Sequence, residues 1–457
     1  MKTSVIALVL ILALPSILLA QPLDQGLPLG DLDRALVNLR GLERNLSPMD
    51  RGLVEPLEFV ADQLILEGRY EQAHRALDRA IQIVRISEGL FTPSQFPYQE
   101  KKILNIVNAG NWDDARGQLD HLFWLYTKKA EFVTPELMAG LVTMSDIHLR
   151  GVSEDLPAHQ AFHLRNGSRT NWLALAVAEA LWGAENTLLV PIIYSTLNNL
   201  YLEKVATDRS GLTSRNLREV AVGNTIRMRE IEYMDVAYYQ MGSRLLNQIK
   251  GIYSAQEPAN LEAVAMAQLY IADWDALFRQ GENALATYKA AFKSLTEVVQ
   301  DEAAISVFFD RPRLLPEPQF YPSLKLALEE STSSLVHVNL GEMDVSDKIV
   351  FSEWSSNFPF VRKPVSMPVR ENSDTGFAIF SFSIGGAPEI ARLLRRSKRA
   401  SIGVAENLEV VESTETANAL ARKLSPKVQS LRFRPRLVDG VPQISDATLI
   451  YIPAFAF

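Results

Sequence analysis

The chain has 457 residues, 47% of them apolar, with 46 Lys and Arg against 54 Asp and Glu for a formal net charge of −8. That is enough apolar material for two or three domains with real cores, and it excludes a chain disordered throughout. The acidic balance argues against a dedicated nucleic-acid binder, and the absence of cysteine excludes disulfides, thiolate catalysis, Cys-ligated zinc and iron–sulfur clusters.

At the N-terminus, Lys2 precedes a run from Val5 to Ala20 that is apolar apart from Pro15 and Ser16, and Gln21-Pro22 breaks it. A charged start, an apolar stretch and a small residue before a polar break predict a secretory signal over residues 1–20. An uncleaved anchor is the alternative, although the run is shorter than the roughly 20 residues that span a bilayer comfortably. Residues 21–49 form a lead-in: Gly26, Pro28 and Gly30 favour loop, and a helix over Leu32–Leu42 follows with Asp31 or Asp33 as its cap.

From residue 50 to about 310 the pattern is helical. Leu57, Val60, Ala61 and Leu64 recur on one face, Gly68 breaks the run, and Tyr70, Ala73, Leu77 and Ala80 form a second face. Small residues at Ala61, Ala73 and Ala80 let two antiparallel helices approach, and the large ones fill the space between. Gly110, Trp112, Ala115, Leu119 and Leu122 each lie 42 residues after Gly68, Tyr70, Ala73, Leu77 and Ala80. Leu122 replaces a small residue, which predicts looser packing there. Ala284, Tyr288 and Ala291 repeat the spacing once more, with Leu261–Phe278 as the partner helix. Between these units Pro135 opens one helix, Thr187–Val205 holds another, Ala206–Asn224 reads as a loop, and Arg227–Tyr253 is helical again.

This pattern resembles the tetratricopeptide repeat, in a form longer than the common repeat of about 34 residues. The resemblance implies an α-helical solenoid of stacked helix pairs whose concave face binds protein partners. Asn105, Asn108 and Asn111 are candidate contacts for an extended peptide, and solvation of a helix end explains them equally well.

Pro312, Pro316, Pro318 and Pro322 punctuate residues 311–333, which read as a Pro-rich linker carrying a short helix, Leu324–Glu329. From 334 to 457 the period becomes two. Val336, Val338 and Leu340 alternate with polar residues, and Phe377–Phe382 enters a hairpin at Gly385-Gly386, with Ile390–Leu394 returning. Residues 398–413 read as an insertion, Thr414–Leu424 as a helix, Leu431 and Phe433 as a strand before a Val438-Asp439-Gly440 turn, and Thr448–Phe457 as the last strand. The order is strand–strand–helix–strand–strand, a small α+β domain.

Leu431, Phe433 and Pro435, followed by Gly440 and Pro442 and a terminal apolar strand, resemble the closing motif of the TonB C-terminal domain family, with Leu431 where a Trp is common. The resemblance covers about the last 85 residues. It implies a periplasmic domain that meets partners, in well-known members by adding a strand at an outer-membrane transporter. The chain has no long Pro/Lys-rich spacer of the kind an energy transducer uses.

Candidate chemistry is thin. His159 and His163, with His148 and Asp155 upstream, are spaced to share a helix face and bind a metal, but Gln160 stands where a zincin motif needs Glu, so ordinary histidines are the expectation. No phosphate loop appears. Ser383 lacks the first Gly of a nucleophile elbow. Arg392, Arg395, Arg396, Lys398 and Arg399 could hold lipid head groups, although a solvated face is the simpler reading. The terminal Phe455-Ala456-Phe457 matches the end of outer-membrane barrel chains but lacks the strands of one. Taken together, the sequence predicts no enzyme and no cofactor. It predicts an exported periplasmic scaffold for protein partners, with a membrane-anchored TonB-like transducer component or a metal-dependent hydrolase as alternatives.

Overall fold

The computed structural model describes residues 31–128, 133–209, 230–333, 348–352, 377–386, 402–413 and 424–452. The chain is mostly helical, followed by a small strand-containing C-terminal region. It divides into two compact units, Met1–Ile147 and His148–Phe457. The signal segment, the strands expected over Val336–Leu340 and Ile390–Leu394, the basic run Arg392–Arg399 and the terminal Phe455-Ala456-Phe457 all lie outside the described residues. Among the described residues no helix is long and apolar enough to cross a membrane.

The first unit opens with α1 (Asp31–Glu43), then α2 (Val54–Leu66) with α3 (Tyr70–Glu88), then α4 (Phe96–Asn108) with α5 (Trp112–Lys128). The start of α4 follows the start of α2 by 42 residues, and α5 follows α3 by the same step, so the spacing in sequence is a spacing of helices. Leu57, Ala61, Ala73, Leu77 and Ala80 are buried in a core that α1 completes through Leu32, Ala35 and Leu39. In the copy Trp112, Ala115, Leu119 and Leu122 are buried as well, so the large side chain at Leu122 is accommodated. Tyr70 is half-buried at the start of α3.

The turns explain why the helices end where they do. Gly68 has φ +70° and Gly110 φ +76°, the left-handed conformation that ends helices without a Cβ penalty. At each turn two backbone amides close back on the helix: Gly68 on Ile65 and Arg69 on Leu64, then Gly110 on Val107 and Asn111 on Ile106. The pair α10 (Leu261–Leu277) and α11 (Gly281–Val298) ends its first helix with the same two bonds, Arg279 on Ala276 and Gln280 on Asp275. There Arg279 holds φ +59°. A side chain in this region costs about 1–2 kcal/mol. Arg279→Gly therefore raises stability by about 1 kcal/mol and Gly68→Ala lowers it by a similar amount, read as opposite shifts in the urea midpoint at unchanged slope.

The second unit begins inside α6 (Pro135–Glu154) and continues through α7 (Gln160–Trp182), α8 (Val190–Arg209), α9 (Glu230–Ser254), α10, α11 and α12 (Glu302–Asp310). Ala284, Tyr288 and Ala291 are fully buried, as their spacing requires. α8 runs to Arg209, past the expected loop start at Ala206.

The Pro-rich stretch is not a free connection. Residues Arg313–Leu315 form β1, antiparallel to β5 (Arg432–Arg434), and α13 (Leu324–Ser333) follows. Leu314, Leu315, Phe320, Tyr321 and Leu324 are buried. The rest of the C-terminal region holds β2 (Ile349–Ser352), β3 (Ala378–Ile384), β4 (Ala405–Ser413), β6 (Leu437–Val438), β7 (Val441–Pro442) and β8 (Ser445–Ile452). The main sheet has the order β2-β8-β3-β4, with β2 parallel to β8 and the other pairs antiparallel. One face packs Phe351, Phe380, Phe382, Leu449 and Tyr451 against Leu424, Val428, Leu431 and Phe433.

Two sequence expectations change here. Residues 405–413 are not an insertion but β4, paired along β3. Their Glu-rich, exposed pattern hid the strand, because an edge strand at a sheet margin need not alternate. Of the helix expected over Thr414–Leu424 only its last residue is described, and it belongs to a helical stretch over 424–430. The Val438-Asp439-Gly440 turn is a two-residue hairpin between β6 and β7, with φ +50° at Asp439 and +73° at Gly440 as a type I′ turn needs.

Candidate interaction surfaces

A buried polar cluster of the second unit lies where its strands meet α10 and α11. Arg434, in the middle of the Leu431–Pro435 motif, is fully buried. Its guanidinium grips Asp273 of α10 with two bonds, Nε donating to Oδ1 at 2.9 Å and Nη2 to Oδ2. Nη1 lies 3.6 Å from Glu317, and Arg313 of β1 lies 3.6 Å from the same Glu317 oxygen. Tyr288 donates its hydroxyl to Asp273 Oδ1 at 2.9 Å. Both arginines stand over the Phe308 ring, at 4.3 Å for Arg313 and 5.4 Å for Arg434. The cluster is balanced, two cations against two carboxylates. Burial pushes the Asp273 carboxyl up, and the Arg434 charge pulls it back. Burial works against the charged Arg434 as well, yet Asp273 and Glu317 outweigh it and hold the guanidinium above its ordinary value. An ionised, two-bonded pair is the arrangement this geometry serves.

Beside it the Pro-rich segment is held by its backbone. Tyr194 donates to the Glu317 carbonyl at 2.9 Å, Asn198 to Pro318 at 3.3 Å and Tyr270 to Gln319 at 3.0 Å. Phe320 sits among Tyr194, Tyr253 and Tyr270. Three successive carbonyls and an aromatic anchor are thus captured by helices α8, α9 and α10. No local pattern in the sequence signals that the helical layer binds this extended segment of its own chain. A cavity here, lined by Tyr194, Asp273, Trp274 and Glu317, measures about 10 Å³. Metabolite pockets are roughly thirty times larger or more.

The TonB-like positions are core and turn residues. Leu431, Phe433, Pro435, Gly440 and Pro442 are all buried, and a Cβ at Gly440 would approach Phe292 and Lys289 of α11 to 2.9 Å. Among the described residues β4 is the last strand of its sheet, its Glu406, Glu409 and Glu412 are exposed, and its pairing with β3 has two register shifts. Charge and bulges are how sheet edges resist pairing with another strand, so β4 is poorly suited to strand addition.

In the first unit Asn105 is not a surface contact. It is buried and donates to the Tyr70 carbonyl at 2.9 Å, tying α4 to the turn of the preceding pair. Asn111 accepts the Asp114 amide and caps α5, and Asn108 is exposed. Apolar side chains do reach solvent: Phe59 on α2, and Phe91 edge-on to Trp124 at 5.4 Å, with Lys128 5.8 Å above the Trp124 ring.

His159 and His163 do not come together. His159 ends a short 3-10 turn, whereas His163 is fully buried inside α7 and bonded to Asp155 and His148. These three groups form a line rather than converging on a point. Among the described residues no cluster of three or more His, Asp or Glu is arranged for a metal ion.

Two buried carboxyls are perturbed. Burial raises Glu100 to about 7 against its Tyr126 hydrogen bond, and raises Glu203 to about 7 against bonds from Ser168 and Tyr238. A carboxyl whose folded value lies above its unfolded one favours folding most below the unfolded value of 4.5, and that contribution is lost as pH rises through about 7. Glu100→Gln, which stays neutral, therefore gains stability over the parent by on the order of 2 kcal/mol between pH 4 and pH 8. Denaturation midpoints across that range measure it.

No family model matches the chain, and no match is found among curated proteins.

Proposed function

We propose that the chain is an exported adaptor that binds protein partners through a tetratricopeptide-like helical surface, with a TonB-like C-terminal domain docked on its last helix pair. The observation that carries this reading is the repeated helix turn: the same two backbone bonds close α2, α4 and α10, and the 42-residue step recurs in both helices of the first two pairs. Repeats of this kind stack into extended surfaces that recognise chains by shape and by scattered side chains. Solvent-facing Phe59, Phe91 and Trp124 give the first unit the aromatic anchors that dominate protein interfaces. The compartment is the periplasm, on the strength of the Val5–Ala20 signal pattern.

The edge of the C-terminal sheet plays the smaller part, because β4 is charged and bulged. A membrane-anchored transducer requires residues 1–20 to persist. The mass of the mature N-terminus separates the two readings: a chain starting near Gln21 supports the adaptor, and an intact Met1 supports the anchor. Binding is tested by partner capture from the living cell with photo-crosslinkers at Phe59 and Trp124. Discrete adducts support the reading, and their absence in folded protein counts against it.

A further inference from the structure

The line Asp155–His163–His148 lies wholly inside the second unit. His163 and His148 are 0% and 2% exposed. Asp155 Oδ1 accepts the Leu156 amide at 2.7 Å, and Oδ2 lies 3.0 Å from His163 Nε2. The two imidazoles meet Nδ1 to Nδ1 at 3.2 Å. A carboxylate only accepts, so His163 carries its proton on Nε2. Its Nδ1 is then bare in the neutral ring, and the contact between the rings requires His148 to donate from Nδ1. The two tautomers are therefore fixed by the geometry.

We propose that this pair is a proton-limited switch: it admits one extra proton with the fold intact, and a second forces the α6–α7 junction open. The first proton makes His163 an imidazolium that donates from Nε2 to Asp155 and from Nδ1 to His148. His148 then releases Nδ1 and carries its proton on Nε2, so every bond of the line survives. A second proton puts N–H groups on both Nδ1 atoms, face to face and away from water. The rings have little room to part. A Cβ at Gly151 would fall 2.3 Å from the His163 ring, so that ring rests against the α6 backbone. The Phe162 ring packs edge-on against both, 5.8 Å from His148 and 5.1 Å from His163.

The charged groups around His148 are consistent with this limit. From α7 it faces His163 and the positive Arg169, both of which disfavour its cation in addition to burial. Asp155 lies on the far side of His163, bonded to its Nε2. From α8 the group beside it at Gly167 is Asn199, which is uncharged.

Histidine nitrogen NMR on the full chain tests the proposal. At pH 7.5 it should show His148 protonated at Nδ1 and His163 at Nε2. On acidification the two rings should take up one proton between them, and the second uptake should coincide with unfolding. His148→Asn keeps an N–H donor near the Nδ1 position and cannot gain a proton. Its acid-unfolding midpoint should fall by about half a pH unit or more. Three results would overturn the switch: the opposite tautomers, two imidazolium rings titrating independently in the folded protein, or an unchanged midpoint in His148→Asn. If that variant does not fold at pH 7, the tautomers and proton count of the parent protein decide alone.

Discussion

Asp273→Leu, made alone, lowers the stability of the His148–Phe457 unit by about 3–5 kcal/mol, because it strands the buried Arg434 charge. Arg434→Met alone has a loss of the same order for the mirror reason. Made together, the two changes recover most of the loss. The Arg313–Glu317 pair remains neutral as a whole, and an apolar pair of similar volume avoids the desolvation that the ions suffered. What stays lost is the Tyr288 hydroxyl's acceptor, about 1–3 kcal/mol for a buried donor left unpaired. Urea unfolding of the four proteins, read as a double-mutant cycle, measures the coupling directly. Single changes costing under about 1 kcal/mol would mean that the cluster is a passive filling rather than the join between strands and helices.

The second large effect is steric. Gly242 of α9 lies against the indole of Trp274 on α10, and a Cβ there would fall 2.1 Å from the ring. Trp274 cannot retreat: it is almost fully buried, its Nε1 donates to the Tyr239 carbonyl at 3.0 Å, and Phe278 packs on it at 4.7 Å. Gly242→Ala therefore forces helices α9 and α10 apart at a cost of about 2–3 kcal/mol. The near-ultraviolet circular dichroism of Trp274 should weaken with the fall in melting temperature. Adding Trp274→Phe should restore part of the loss by freeing space, and a Gly242→Ala protein with parental stability would disprove the close packing.

What the sequence revealed and what it hid follow from the range of the forces involved. The helix pairs were legible because local signals agree: small and large residues at helical spacing, and Gly68 and Gly110 at the only backbone conformation that closes the turn. Arg279 was not legible as a third such turn, since nothing in its side chain advertises a left-handed backbone. Tyr288 was read as packing, which it is, but its hydroxyl bond to Asp273 joins residues 15 apart in sequence. Arg434 and Asp273 are separated by 161 positions, and no periodicity links them. The one available hint was Asp273 in the middle of an otherwise apolar face of α10, a charge that needs a buried partner. The seating of the Pro-rich stretch is not legible in sequence for a related reason. Proline disfavours helix, and an extended segment gripped through its carbonyls looks in sequence like an extended segment in solvent. His163 stands out in sequence for its spacing from His159, with His148 and Asp155 upstream, and it is those two rather than His159 that it meets, across a helix break that spacing alone does not bridge.

The charged, bulged β4 also shifts weight between the two proposed surfaces. With the sheet margin protected in this way, the proposed contact falls mainly to the exposed aromatic residues of the first unit, Phe59, Phe91 and Trp124.

The most direct test of that claim is photo-crosslinking in the living cell from Phe59, Trp124 and, as the contrasting position on the sheet edge, Val411. Discrete adducts with the same protein partner are expected from Phe59 or Trp124, and few from Val411. Adducts confined to Val411, or none from any position while the protein is folded, would contradict that claim.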